Sequence, residues 1–372
     1  MTKVLVTGGA GFIGSFLTDS LVEKGYKVTV FDNLEPQVHP GGRIPDYFNK
    51  KAKFIYGDVR DYESLRRVVK GQDYIFHFAG KVGVAQSQYE IKKYTDVNVG
   101  GTANLLDILV NTKIRIKKLI IAVSMSSYGE GVYKCKKCGE FRPCLRDTEQ
   151  VEKKKWKIIC PDCLSFAEPV PTPESAVQNC NSIYALTKKV QEDMGMMIGR
   201  TYNIPTVALR FFNVYGPRQS LSNPYTGVVA IFLSRIKNNR NPVIFEDGTQ
   251  TRDFIYVDDV IKACMSVMTS SSADYEVFNV GNGKPLTLIE VAEKIAKSCG
   301  KNIKPEITNK FRKGDVRHCY ADMSKIKRMI GFKLLKKSFF HIISHREKRL
   351  SEICFFRELI CFQSRKIVYY KI

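Results

Sequence analysis

The chain opens with an apolar run from Lys3 to Thr7, and a glycine cluster follows at once, Gly8-Gly9-Ala10-Gly11-Phe12-Ile13-Gly14. Phe16, Leu17, Leu21 and Val22 then recur at helical spacing between Ser15 and Lys24, so the pattern predicts strand, glycine turn, helix. A second strand is predicted over Lys27 to Phe31. Further strand-like runs stand at Phe54-Ile55-Tyr56, from Tyr74 to Phe78, from Lys118 to Val123 and from Thr206 to Phe211, with helix-spaced stretches between them. That alternation predicts an α/β fold, a Rossmann-type doubly wound parallel sheet. Past Arg218, helical stretches over Val228 to Asn238 and Val257 to Thr269 predict a smaller C-terminal domain that closes over the first. The expected boundaries are 1–212 for the sheet domain, interrupted by an insertion at 131–170, then 213–332 mainly for the second domain and 333–372 for an atypical tail.

Composition narrows the class. A chain of 372 residues that is 44% hydrophobic can fill a sizeable core, which excludes disordered and fibrous classes. The net charge of +22 favours anionic company without choosing between nucleic acid, a membrane surface and a phosphorylated small molecule. No run approaches the roughly 20 apolar residues of a membrane span, and the first residues lack a signal-peptide layout. The expectation is a soluble cytoplasmic protein without stable membrane insertion.

The glycine turn gains meaning from what surrounds it. Asp32 ends the second strand, eighteen residues after Gly14, and completes the βαβ context of a dinucleotide-binding fingerprint. Glycines let the backbone approach a pyrophosphate at the helix N-terminus. Asp32 would accept hydrogen bonds from the ribose hydroxyls and repel a 2′-phosphate, so the expected cofactor is NAD rather than NADP. Asp58 follows a strand and reads either as an adenine contact or as the N-cap of a helix over Tyr62 to Val69. His77 reads as a packed strand residue.

Tyr184 and Lys188 stand four residues apart, on one face of a helix. A free phenol titrates near pH 10, and a neighbouring ammonium favours the phenolate, so the pair could act as a base. Tyrosine and lysine are common on helices, and the pair alone reads equally as an ordinary helix face. Ser124, at the end of the Ile120 to Val123 strand, could supply a hydroxyl to orient a substrate alcohol.

Taken together, Gly8 to Gly14, Asp32, Ser124, Tyr184 and Lys188 resemble the extended short-chain dehydrogenase/reductase superfamily, specifically its NAD-dependent nucleotide-sugar epimerases and dehydratases. His77-Phe78-Ala79-Gly80, Asn98-Val99-Gly100-Gly101-Thr102, Arg210 to Arg218 and Arg252 to Asp259 are similar to segments of the same family. The resemblance runs from residue 1 to about 332. It implies a tightly held NAD contacted by Gly8, Gly11, Phe12, Ile13, Gly14, Asp32, Asp58, Val59, Phe78, Ala79, Asn98, Tyr184 and Lys188. It implies catalysis by Ser124, Tyr184 and Lys188. Substrate contacts are implied for Ser124, Ser126, Asn213, Arg218, Arg252, Arg312 and Asp315, with the arginines suited to phosphate oxygens. A homodimer is expected on the same ground.

Family dehydratases carry an acidic pair directly after the Ser/Thr, where this chain has Met125 and Ser126. Neither side chain can do that acid-base work, so elimination is disfavoured and C4 epimerisation remains, with NAD regenerated in each cycle. The segments Asp32 to His39, Val82 to Ser87 and Ser222 to Val228, with the cysteine insertion, most resemble the subfamily that 4-epimerises dTDP-L-rhamnose. Glucose/galactose-type epimerisation and an NAD-dependent sugar reductase are the enzymatic alternatives.

The insertion carries Cys135-Lys136-Lys137-Cys138 and Cys160-Pro161-Asp162-Cys163, a zinc-ribbon-like pattern that predicts a four-thiolate structural zinc site. The tail beyond Lys333 is basic and aromatic-rich and departs from the family: an altered reading frame, a membrane-surface helix and an ordinary buried helix are its three readings. A rival of another class is a nucleic-acid or protein-binding module built on the ribbon, Lys153-Lys154-Lys155-Trp156 and the tail. The intact Ser124, Tyr184 and Lys188 set speaks against it, so a nucleotide sugar and not nucleic acid is the expected partner.

Overall fold

A computed structural model of the chain describes residues 1–220, 227–312 and 314–335. The segment from Ser222 to Thr226 and the tail from 336 onward, on which two of the expectations fall, lie outside the described residues. Seven parallel strands form one sheet in the spatial order Val277–Val280, Thr206–Phe211, Lys118–Ser124, Tyr74–His77, Lys3–Thr7, Lys27–Asp32, Lys53–Tyr56. The first strand is interior to the sheet, pairing Val4 with Val28 on one side and Leu5 with Ile75 on the other. The order reverses at this strand, and the crevice above its C-terminal end is where such sheets bind ligands.

Alternation along that strand sorts the core. Val4 and Val6 point into the larger apolar layer with Leu17 and Leu21, while Leu5 points into the other layer with Leu65, Ile75, Leu105 and Leu109. Strand Lys118–Ser124 is buried along its whole length, as a strand covered by helices on both faces must be. Helix Phe12–Glu23 lies against helix Val257–Thr269, so the two parts of the chain share one layer of core.

The six strands legible in the sequence lie within a residue or so of expectation. The seventh was not anticipated: Val277–Val280, past the expected boundary at 212, returns to the sheet and pairs with Thr206–Phe211. Among the other second-half strands, Asn213–Tyr215, Thr251–Tyr256, Pro285–Thr287 and His318–Cys319 form a small mixed sheet of their own, and Val243–Ile244 pairs with Glu306–Ile307. Asp253 pins it, accepting N–H bonds from Asn282 at 2.6 Å, Gly283 at 2.9 Å and Ala321 at 3.0 Å. In the insertion, strand Val132–Cys135 pairs on its two sides with Gly139–Phe141 and Glu168–Val170. Among the described residues no helix is long and apolar enough to cross a membrane.

Candidate active site

The glycine turn is shaped by close backbone approach. Gly8 has φ +70°, and a Cβ there would meet the Ala79 nitrogen at 2.7 Å. A Cβ on Gly14 would stand 2.3 Å from the Gly8 carbonyl oxygen. Gly11 caps helix Phe12–Glu23 without a side-chain acceptor, so the first-turn N–H groups have no cap competing for them. Asp32 closes the turn from the second strand, its carboxylate accepting from Ala10 N at 3.0 Å and Leu34 N at 2.9 Å. A side chain at either Gly8 or Gly14 would fill this cradle, which fits the pyrophosphate and ribose of a dinucleotide.

One cleft runs from this turn across the strand ends. Gly8, Gly11, Phe12, Ile13, Gly14, Asp32, Asp58, Val59, Phe78 and Ala79 line it, and it continues to Ser124, Tyr184 and Lys188. Of the residues expected to touch NAD, only Asn98 stands behind the wall. Fully buried, it accepts from Lys81 N at 2.7 Å and donates to Lys81 O at 3.1 Å, so it holds the cleft backbone in place. Asp58 does not cap the helix that follows. Asp61 does, accepting from Ser64 N, while Asp58 pairs with Arg60 at 2.7 Å and accepts from Asn33. His77 is packed as expected, bonded to Thr7 Oγ1 and Thr102 Oγ1, and burial pushes its imidazole down to about 3, which keeps it neutral.

Ser124 is the last residue of the fully buried strand, and its hydroxyl accepts from Ser126 N at 3.2 Å. Tyr184 and Lys188 ride on helix Ile183–Thr201, started by the Ser182 hydroxyl that accepts from Ala185 N. The Tyr184 backbone N–H is held by Ser87 Oγ at 3.0 Å, and Lys188 Nζ donates to Ala122 O at 3.0 Å. Burial pushes the Tyr184 phenol up, and its hydrogen bond with Ser124 opposes that rise. Burial likewise pulls Lys188 down to about 8, because an ammonium is penalised away from water.

The substrate contacts implied by resemblance are less gathered. Of the seven, Ser124 alone lines the cleft. Ser126 sits in the turn Met125–Tyr128, hydrogen-bonded to Ser124. Asn213 donates to Asp253 O at 3.1 Å. Arg218 turns toward the first helix, pairing with Asp19 at 2.8 Å and covering the Phe16 ring. Arg252 donates to the carbonyls of Val316 and Arg317. Arg312 and Asp315 pair with each other at 2.9 Å on the surface.

Several polar residues at the cleft and beside it escaped the sequence reading. Lys81 lines the cleft, nearly buried, with Nζ 3.3 Å from Glu35 and 3.2 Å from Gln37. Its position directly after Gly80 was the signal available. Near the Ser124 turn, Glu130 accepts from Arg317 N and His318 N, and Glu246 receives both Arg146 and Arg317. Partners 100 residues apart leave no local pattern to read. Arg210 and Glu192 form a further buried pair that also holds Tyr128 Oη at 2.6 Å.

The four cysteines of the insertion come together. The sulfurs of Cys135, Cys138, Cys160 and Cys163 all lie within 4.8 Å of one another. Cys144 is exposed and outside that group. Four thiols clustered on two tight turns are the donor set of a tetrahedral zinc site.

The profile of the NAD dependent epimerase/dehydratase family matches residues 4–145 and 165–281, breaking off within the cysteine insertion. A dTDP-L-rhamnose 4-epimerase of Burkholderia thailandensis is 33% identical over 337 residues, covering 89% of this chain and 90% of that one. A solved UDP-glucose 4-epimerase of Thermotoga maritima with UDP-glucose superposes with a TM-score of 0.76 at 30% identity, covering 94% of this chain and 100% of the other. A Thermus thermophilus UDP-glucose 4-epimerase solved with NAD gives a TM-score of 0.72 at 27% identity, over 92% and 97% of the two chains. The glycine cradle, the acid at the second strand and the serine, tyrosine and lysine on one wall agree with these likenesses, and the chain belongs to the NAD dependent epimerase/dehydratase family.

Proposed function

We propose that this enzyme is a nucleotide-sugar 4-epimerase that interconverts dTDP-L-rhamnose and dTDP-6-deoxy-L-talose. The observation that carries the reaction class is the meeting of Ser124, Tyr184 and Lys188 on one wall of the cleft, with Met125 and Ser126 where elimination would need acids. The 33% likeness to the Burkholderia enzyme supports the sugar. Bound NAD supplies a hydride acceptor and, later in the cycle, a hydride donor. Tyr184 takes the proton of the C4 hydroxyl, and Ser124 holds that oxygen so the phenol and the C4 atom stay aligned. Tyr184 acts here as its phenolate, the form that the neighbouring Lys188 ammonium favours, and becomes the phenol on taking that proton. When the 4-keto sugar has presented its other face, Tyr184 returns the proton and the C4 configuration is inverted. A zinc ion on the four thiolates has a structural part, since sulfur fills every position and leaves none for substrate.

The test is to incubate the purified protein with dTDP-L-rhamnose, without added reductant, and follow the sugar C4 proton by NMR. The expected result is the talose epimer with no net NADH. Conversion of UDP-glucose alone would keep the epimerase and remove the rhamnose assignment. Net consumption or release of NADH would make the enzyme a reductase.

A further inference from the structure

The cysteine module holds more than its own fold. Besides its cysteines it buries Val132, Tyr133, Val151, Trp156, Ile158 and Ala167, of which Tyr133, Ile158 and Ala167 form a cluster of their own with Phe141 packed against them. So small a cluster stabilises a segment of this length weakly, and a metal joining the two turns would add its binding free energy directly to folding. The two turns match in form: the residue after the second cysteine of each is left-handed, Gly139 at φ +88° and Leu164 at φ +58°.

Between the turns, residues 139–159 carry two arginines. Arg146, 3% exposed, forks onto the Glu246 carboxylate at 2.8 and 2.9 Å and donates to Asp315 O at 3.1 Å. Arg142 donates to the carbonyls of Tyr128 and Glu130. Both targets adjoin the catalytic end of the cleft. Tyr128 ends the turn that follows Ser124, and Gly314, next to Asp315, accepts from Asn181 Nδ2 at 2.9 Å, three residues before Tyr184.

We propose that zinc on Cys135, Cys138, Cys160 and Cys163 acts as a clamp: it positions Arg142 and Arg146, and through them the 128–130 and 314–318 segments, so that metal occupancy sets the affinity for the nucleotide sugar and leaves NAD retention alone. The affinity statement rests on the epimerase reading, whereas the clamp itself does not. Arg142 and Arg146 are positioning residues here, touching backbone and a carboxylate and not the reacting atoms.

The experiment uses the full chain. Metal analysis of the purified protein should find one zinc per chain, and cobalt exchanged into the site should show the intense visible absorption of a tetrahedral thiolate complex. Zinc is then removed by chelation. Hydrogen exchange at 125–131 and 314–318 should accelerate while the glycine turn at 7–15 keeps its protection and NAD stays bound. KM for dTDP-L-rhamnose should rise about tenfold with kcat within about twofold. Arg146→Gln in zinc-loaded protein should reproduce the faster exchange at 314–318 and the higher KM with zinc retained, since the four cysteines are untouched. Three results would overturn the clamp: no zinc and no cobalt spectrum, exchange at both segments indifferent to zinc, or NAD lost together with the metal. If dTDP-L-rhamnose is not turned over at all, the substrate reading fails and the exchange data still decide the clamp.

Discussion

The two ends of the cleft are built from different physics. At the glycine turn, shape decides: backbone packs on backbone, with the Gly14 position 2.3 Å from a carbonyl oxygen if it carried a Cβ. At the other end, charge decides. Behind its lining, Arg146, Glu246 and Arg317 are buried together, pairing residues far apart in the chain, and Arg210 with Glu192 form a second buried pair. The first end is damaged by adding atoms, the second by removing a charge.

The largest expected effect tests the charged end. Glu246→Gln leaves Arg146 and Arg317 buried without their shared carboxylate, and should cost about 3–5 kcal/mol, measured as a fall in the urea midpoint. Gly14→Val tests the other. Its side chain must displace the Gly8 backbone, at about 1–3 kcal/mol, and the nucleotide released from denatured protein should fall well below one per chain. If Gly14→Val kept its NAD and Glu246→Gln its stability, the contrast between the ends would be gone.

Lys188, at the catalytic end, gives a pH signature. Burial holds its ammonium at about 8 against an ordinary value of 10.5, so the folded protein binds fewer protons than the unfolded chain between those values. The penalty is fully present below about pH 8 and fades as the pH rises toward 10.5. Lys188→Met should therefore melt at a higher temperature than the parent at neutral pH, with the advantage shrinking on the alkaline side, while epimerisation is lost. The smallest effect is expected at Arg312, which is 58% exposed and paired with Asp315. Arg312→Ala should change stability by less than about 0.5 kcal/mol, so any rise in KM would report a phosphate contact, and an unchanged KM would take Arg312 out of the site.

The same contrast explains what the sequence made legible. Gly8, Gly11, Gly14, Asp32, Ser124, Tyr184 and Lys188 all line the cleft, and they were legible because their chemistry depends on short spacing within one strand, turn or helix. The cysteines were readable for a similar reason, each pair lying in one turn. Strand Val277–Val280 was missed because four residues preceded by Tyr275 and Glu276 carry no period that separates strand from loop. Arg218 and Arg252 were assigned to substrate from local motif context, yet where a long side chain ends depends on neighbours such as Asp19 and the Val316 carbonyl that the motif does not contain. For Tyr184 and Lys188, spacing showed the shared helix face but not the burial that pushes the phenol up and the ammonium down, because that burial comes from packing distant in the chain.

The return of Val277–Val280 to the sheet has a consequence for how this protein can be divided. A chain ended at Phe212 would retain the glycine turn, the tyrosine and the lysine, yet strip the partner from Thr206–Phe211, a strand buried along its whole length. Its backbone donors and acceptors would stand open along an apolar edge, the kind of edge that recruits strands from other molecules. Such a half would aggregate rather than bind nucleotide in isolation, so any evolutionary or engineered exchange of the sugar-recognising half must carry this strand across with it or supply another in its place.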